Sequence, residues 1–370
     1  MLSKAKRIVV KVGSSLLASL TGGLNKCFMQ KLTAELAALH NEGKEVILVT
    51  SGAVAAGCVE LGITTRPQNV VTRQALAAVG QGLLMHEYNH LLTAHDVKCG
   101  QVLITRDIFT ERSRYLHARN TLLELIKMRV IPIVNENDTV AIQELRLKVG
   151  DNDTISMIVS LLTDADILII LSDVEGLYDR NPSEVGAKLI ERVDRILDVI
   201  GFAKDTKNLV GTGGMTTKLS AAQGSHLGAI PLVIAAGNTP NILYRVLSGE
   251  NIGTFFAPSA RKRNAREEWI GTSPTEGMIL IDQGAVTALV AGKKSLLPIG
   301  VKDVVGQFSE GAIVSIQTLN HTEIARGLSN FTSQEIRLIA GKKSSECASI
   351  LGVGVCQEEV VHRDNLVVFE

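Results

Sequence analysis

Two lysines stand where an anion could be handled: Lys11, inside the apolar run VVKVGSS, and Lys218, near the end of GTGGMTTKLSAA. A lysine within an apolar strand is costly unless its ammonium reaches a partner or solvent. Lys11 lies two residues before Gly13, so its ammonium suits an anion gathered at a glycine turn followed by Ser14. The second segment packs glycines at 211, 213 and 214 directly ahead of a helical pattern. Glycines there permit close backbone approach, and a helix start offers free N–H groups to a phosphate. An ordinary flexible loop has the same composition, so the rest of the chain must decide.

Other polar residues gather at the ends of apolar runs. LVTSGAVAAG carries Thr50, Ser51 and Gly52, with Ser51 suited equally to capping a helix and to touching a ligand. VNENDTV sets Asn135, Glu136, Asn137 and Asp138 in a row, more polar groups than a surface turn needs. KVGDNDTIS places Asp151, Asn152 and Asp153 before an apolar helical stretch, where a helix cap is the plainer reading of an aspartate. ILSDVEGLYDRNP closes another run with Ser172, Asp173, Glu175, Gly176, Tyr178 and Asp179. The sequence has no GxxxxGK[ST], no GxGxxG after its first strand and no GxSxG. His117, His226 and His362 read as structural or exposed. What is left is a different kind of phosphate site, built from Lys11, Gly13, Ser14 and the turn Thr212, Gly213, Gly214, Met215, Thr216, Thr217 and Lys218.

Positioning these residues requires a sheet. RIVVKV, EVILVTS, GQVLIT, VIPIVNEN, DILIILSD and PLVIAAG are continuous Val/Ile/Leu runs, as in parallel strands covered on both faces. Helical patterns lie between them over 26–42, 72–94 and 109–128. The alternation predicts an α/β fold, with helices on both sides of a mainly parallel central sheet, over residues 1–256. In such sheets ligands bind beyond the carboxyl ends of the strands, where the polar clusters fall. Residues 257–276 are polar, contain the only tryptophan, and read as a linker or connecting helix. Their basic cluster, Arg261, Lys262, Arg263 and Arg266, reads as a solvated face. Residues 277–370 return to short runs broken by glycines, GMILIDQGAVTALVAGKKSLLPIGV among them, and predict a small, mainly β domain.

Composition narrows the class of partner. The 370 residues hold 38 Lys plus Arg against 38 Asp plus Glu, so no global field draws the chain to nucleic acid or acidic lipid. Cys27, Cys58, Cys99, Cys347 and Cys356 are scattered, which fits reduced thiols and a cytoplasmic location better than zinc or disulfides. No signal peptide and no apolar run of membrane-spanning length is seen, so no membrane role is expected.

Taken in order, VVKVGSS, VTSGAVAAG, AAVGQ, NENDTV, KVGDND, SDVEGLYDRNP and GTGGMTTKLSAA resemble the amino-acid kinase family. The tail, with LLPIGV, RGLSN and VVHRDN, resembles a PUA domain. The resemblance implies a three-layer αβα sandwich that binds ATP, Mg²⁺ carried by the nucleotide, and an acidic amino acid. TSGA, NEND and GDND together resemble the branch that phosphorylates the side-chain carboxylate of L-glutamate, the opening step of proline biosynthesis. It implies that Lys11 and Lys218 contact the transferred phosphate, aided by the N–H groups of Gly13 and Ser14, and that Asp153 orients the two lysines. By the same resemblance, Ser51, Asp138 and Asn152 bind glutamate, and Ser172, Asp173 and 212–218 bind ATP. It further implies feedback inhibition by proline and a homo-oligomer, dimer or tetramer. IQELRL, between NENDTVA and KVGDND, is longer than the family pattern. Two rivals stay open: another member acting on acetylglutamate or aspartate, and an RNA-binding protein working through its PUA-like domain.

Overall fold

The structure is a computed structural model that describes residues 2–19, 22–65, 67–105, 108, 112–141, 152–199, 214–259, 265–292, 294–351 and 359–369. It divides into two compact units, Met1–Ala260 and Arg261–Glu370. Helix Ala265–Thr272, within the segment expected to link the domains, therefore belongs to the second unit.

The first unit opens with β1 (Arg7–Val12), a helical turn α1 (Ser14–Leu17), and a small hairpin of β2 (Ala18–Ser19) and β3 (Gly23–Leu24). Helix α2 (Lys26–Asn41) and strand β4 (Glu45–Val49) follow, then helices α3 (Ala53–Glu60) and α4 (Val70–Thr93). Next come β5 (Lys98–Ile104), α5 (Arg112–Lys127), β6 (Val130–Glu136), α6 (Asn152–Leu162), β7 (Ile167–Ser172) and β8 (Arg192–Val193). The unit closes with α7 (Met215–Leu227), β9 (Leu232–Ala236), α8 (Ile242–Ser248) and β10 (Thr254–Phe256).

The sheet order is β5-β6-β4-β1-β7-β9-β10-β8, and the pairs from β5 through β9 are all parallel. Beyond β9 the direction reverses: β10 runs antiparallel to β9, and β8 runs parallel to β10. Strand β1 is central, and its residues Ile8 to Val12 are buried together with all six of β7. That is why these strands read as unbroken apolar runs rather than alternating ones. One side of the sheet is filled by Leu36, Leu84, Tyr88 and their neighbours from α2 and α4. Asn25 starts α2 by accepting from Phe28 N at 3.2 Å, and Asn69 starts α4 by accepting from Thr72 N at 3.1 Å.

Two glycine features shape the ground under the polar clusters. Gly52 takes φ +97° where the chain turns from β4 into α3, a left-handed conformation that suits glycine. Gly57 on α3 and Gly80 on α4 let the two backbones touch. A Cβ at 57 would come within 2.0 Å of Leu76 O, and one at 80 within 1.9 Å of Ala53 O.

The second unit has its own sheet and core. Its strands are β11 (Gly277–Ile281), β12 (Val301–Val305), β13 (Ile313–Thr318), β14 (Glu323–Leu328) and β15 (Leu366–Val368), in the order β12-β11-β13-β14-β15. The long run GMILIDQGAVTALVAGKKSLLPIGV, expected to be β-type throughout, instead splits after Ile281. Asp282 accepts from Ala285 N at 2.9 Å and caps a helix over Gln283–Val290, which continuous apolar composition does not distinguish from a strand. Arg326 ties this sheet to the helix before it, donating to the carbonyls of Gly271 and Ser273 at 3.1 and 3.0 Å. Among the described residues no helix is long and apolar enough to cross a membrane.

Candidate active site

Four strand ends and two helix starts lie at the carboxyl edge of the first sheet. Lys11 leaves the end of β1, buried at 5% exposure, and Lys218 stands in the first turn of α7 at 6%. Between them is Asp153, in the first turn of α6 and fully buried. Lys11 Nζ lies 2.5 Å from Asp153 Oδ1, and Lys218 Nζ lies 3.5 Å from Oδ2. Thr217 Oγ1 donates to Oδ2 at 2.7 Å. Burial alone would raise the Asp153 pKa. The charges of Lys11 and Lys218, with hydrogen bonds from Lys11 and Thr217, outweigh it and hold the carboxyl well below its usual range. The helix start adds a favourable field for the carboxylate. Two ammonium groups share one carboxylate at a buried rim, and these three groups together carry one net positive charge. Such a cluster favours a further anion.

Beside it lies an amide-rich wall. Ser51, at the end of β4, accepts from Asn152 Nδ2 at 3.1 Å, and Asn152 also donates to Asn135 Oδ1 at 3.1 Å. Asn135 Nδ2 donates to Gln81 Oε1 on α4 at 2.7 Å. Thr50 and Tyr88 share a hydrogen bond of 2.8 Å beneath this wall, and burial pushes the Tyr88 hydroxyl pKa upward. Asp138 is half-buried past the end of β6. Burial first, then the Glu136 charge, raises its pKa to about 6, with Arg73 opposing the rise.

The nucleotide-side expectations divide. Ser172 is buried at the end of β7, where its Oγ donates to Asp173 Oδ1 at 3.1 Å, while Asp173 itself is exposed. Gly214 is the N-cap of α7, its carbonyl oxygen 2.8 Å from Thr217 Oγ1; Met215 is half-buried and Thr216 exposed. Thr212, Gly213, Asp151 and the IQELRL stretch lie outside the described residues. Gly13 differs from expectation. Its N–H, expected to face phosphate, donates to Leu171 O at 3.1 Å and extends the β1–β7 pairing, leaving Ser14 as the first residue of α1. Among the described residues no cluster of His, Cys, Asp or Glu could hold a metal ion.

Sequence reasoning gave no role to Gln81 and no individual role to Asn135. The signal for Gln81 was present in AAVGQ, where small residues before a polar one mark a helix that approaches another backbone closely. Asn135 was visible only as one of four polar residues in NEND.

The family model described as the amino acid kinase family matches residues 6–235, and that of the PUA domain matches residues 277–351. A protein of Caldanaerobacter subterraneus subsp. tengcongensis named glutamate 5-kinase is 45% identical, over 98% of this chain and 98% of its own length. One of Moorella thermoacetica with the same name is 45% identical over 99% of this chain and 97% of its own length. A third, of Geobacter sulfurreducens, also named glutamate 5-kinase, is 44% identical over 99% and 98%.

Proposed function

The chain belongs to the amino acid kinase family, and on that premise we propose that it transfers the γ-phosphoryl group of ATP to the side-chain carboxylate of L-glutamate. The products are ADP and L-glutamyl 5-phosphate, the first intermediate of proline biosynthesis. The observation that carries this reading is the pair Lys11 and Lys218 held on one buried carboxylate beside an amide-lined wall. The name shared by relatives that match nearly the full chain supports the choice of acceptor.

In this reading a γ-carboxylate oxygen attacks the γ-phosphorus in line, and the bond to the β–γ bridging oxygen breaks as ADP leaves. A carboxylate is ionised at neutral pH, so no general base is needed. The difficulty is mutual repulsion of two anions, and positioned positive charge is the remedy. Lys11 and Lys218 meet the phosphoryl oxygens. Asp153 orients both ammonium groups and, by its own charge, keeps two buried cations compatible with the fold. Ser51 and Asn152 receive the amino acid, and Asp138 faces its ammonium. Ser172, Asp173 and the start of α7 from Gly214 to Lys218 receive the nucleotide. Mg²⁺ accompanies the nucleotide phosphates, as this ion commonly does, and supplies further charge neutralisation when bound. The described cysteines are free thiols, which suits the reduced cytoplasm. Proline feedback and homo-oligomer assembly enter this reading through the family resemblance.

The test is incubation with ATP, Mg²⁺, hydroxylamine and a panel of acidic amino acids. Hydroxamate from glutamate alone is the expected result. Hydroxamate from N-acetylglutamate or aspartate instead, or RNA retention with no ATP turnover, would overturn the proposal.

A further inference from the structure

The amide wall has a polarity, and one backbone group sets it. Glu136 N–H can only donate, and it meets Asn135 Oδ1 at 2.9 Å, so that atom is an acceptor. Asn152 must then present its Nδ2 to the same oxygen, at 3.1 Å, and the same nitrogen donates to Ser51 Oγ. Asn135 in turn presents Nδ2 outward, and Gln81 must answer with Oε1, at 2.7 Å. A single N–H therefore orients three side-chain amides whose oxygen and nitrogen would otherwise be interchangeable. The two ends of the chain are fixed as a result. Asn152 Oδ1 is left as an acceptor and Gln81 Nε2 as a donor, both buried and both without a hydrogen-bond partner among the described residues. A buried donor left in this way is destabilising unless a ligand or water completes it.

The two ends differ in what they adjoin. Asn152 neighbours Asp153 and so the lysine pair, whereas Gln81 is joined to Asn152 only through Asn135. Gln81 is also firmly placed. Its neighbour Gly80 lies so close to α3 that a Cβ would stand 1.9 Å from Ala53 O. With the reacting carboxylate of glutamate at the lysines, the other end of the molecule carries an ammonium and a second carboxylate. Asp138 suits the ammonium, and the remaining carboxylate needs a donor.

We propose that Gln81 is a specificity-determining residue whose Nε2–H₂ group donates to the α-carboxylate of the substrate, the carboxylate that is not phosphorylated. The inference rests on the glutamate reading above. It differs from a role in which Gln81 merely supports Asn135, which uses Oε1 alone.

Gln81→Glu separates the two roles. It keeps an oxygen for Asn135 Nδ2 but replaces the donor with an anion that repels an α-carboxylate. The measurement is hydroxamate formation at about pH 8 with glutamate and with isoglutamine, whose α-carboxyl is an amide and whose side-chain carboxylate is intact. Expected for Gln81→Glu is a fall of about 10- to 100-fold in kcat/KM for glutamate, carried by KM for glutamate rather than KM for ATP. The isoglutamine value should fall less, so that the glutamate-to-isoglutamine ratio drops at least ~10-fold. Gln81→Met, which lacks both donor and charge, should raise KM for glutamate as well, and it serves if Gln81→Glu does not fold. A wild-type ratio in folded Gln81→Glu, or a wild-type KM for glutamate in Gln81→Met, overturns the inference while leaving the glutamate reading intact. Loss of the ratio in Arg73→Met with retention in Gln81→Glu would move the role to the guanidinium that acts on Asp138 and overturn it too. If the wild-type enzyme makes no hydroxamate from glutamate, both the reading and the inference fall.

Discussion

Lys11 and Lys218, which are 207 positions apart in the sequence, hold opposite oxygens of the Asp153 carboxylate at 2.5 and 3.5 Å. One arrives on a strand and the other on a helix, and the carboxylate comes from a second helix start.

Removing either ammonium should therefore reduce turnover far more than it disturbs the fold. Lys11→Met and Lys218→Met are expected to lower kcat by about 10²–10³-fold, as loss of one preorganised donor does. Steady-state kinetics at saturating ATP check this, with circular dichroism confirming the fold.

Asp153→Asn has the reverse balance. Two buried ammonium groups would lose their shared counter-charge, and breaking such a pair costs about 3–5 kcal/mol. Urea unfolding should show this loss, and the double variant Asp153→Asn with Lys218→Met should recover part of it. Added nucleotide should raise the Tm of Asp153→Asn more than that of the wild type, because its phosphates replace the missing charge.

Asp138 predicts an acid limb. Its folded pKa, raised by burial and by Glu136 to about 6, means that the ionised form needed for an ammonium is lost as pH falls through that value. kcat/KM for glutamate should drop roughly tenfold per pH unit below it, and Asp138→Asn should abolish the dependence along with most of the binding. Stability runs the other way. A carboxyl whose pKa rises on folding contributes stability that is present below its unfolded value of 3.8 and is lost as pH rises through about 6. Asp138→Asn should thus melt higher than the wild type at neutral pH, with the gap closing near pH 4.

The crossing of α3 and α4 gives a paired test. Gly80→Ala forces a methyl group against Ala53 O and should destabilise by at least ~1–3 kcal/mol while raising KM for glutamate. Gly82→Ala, two residues along the same helix with nothing within 4 Å of its added Cβ, should be neutral or stabilising by up to ~1 kcal/mol. Denaturant melts of both variants decide it.

The sheet was legible in the sequence because β1 and β7 are buried on both faces, and only unbroken apolar runs satisfy that. Lys11 and Lys218 were legible because a lysine in an apolar setting demands an explanation. The helix at Gln283–Val290 was not, since one capping side chain at Asp282 decides it. Gly13 was misread in one respect: a glycine at a strand end announces a turn but not which acceptor takes its N–H. Gln81 and Asn135 escaped because neutral amides carry no charge signal, and their significance appears only once three chain segments meet.

The bare contact between Gly57 and Gly80 has a consequence for how this wall can change. No side chain stands between the two backbones, so no rotamer can yield there and the helices behave as one welded joint. Variation in what the pocket accepts must be written into the groups hung from that joint, or into Asn152 and Asp138, which other elements carry, rather than into its spacing.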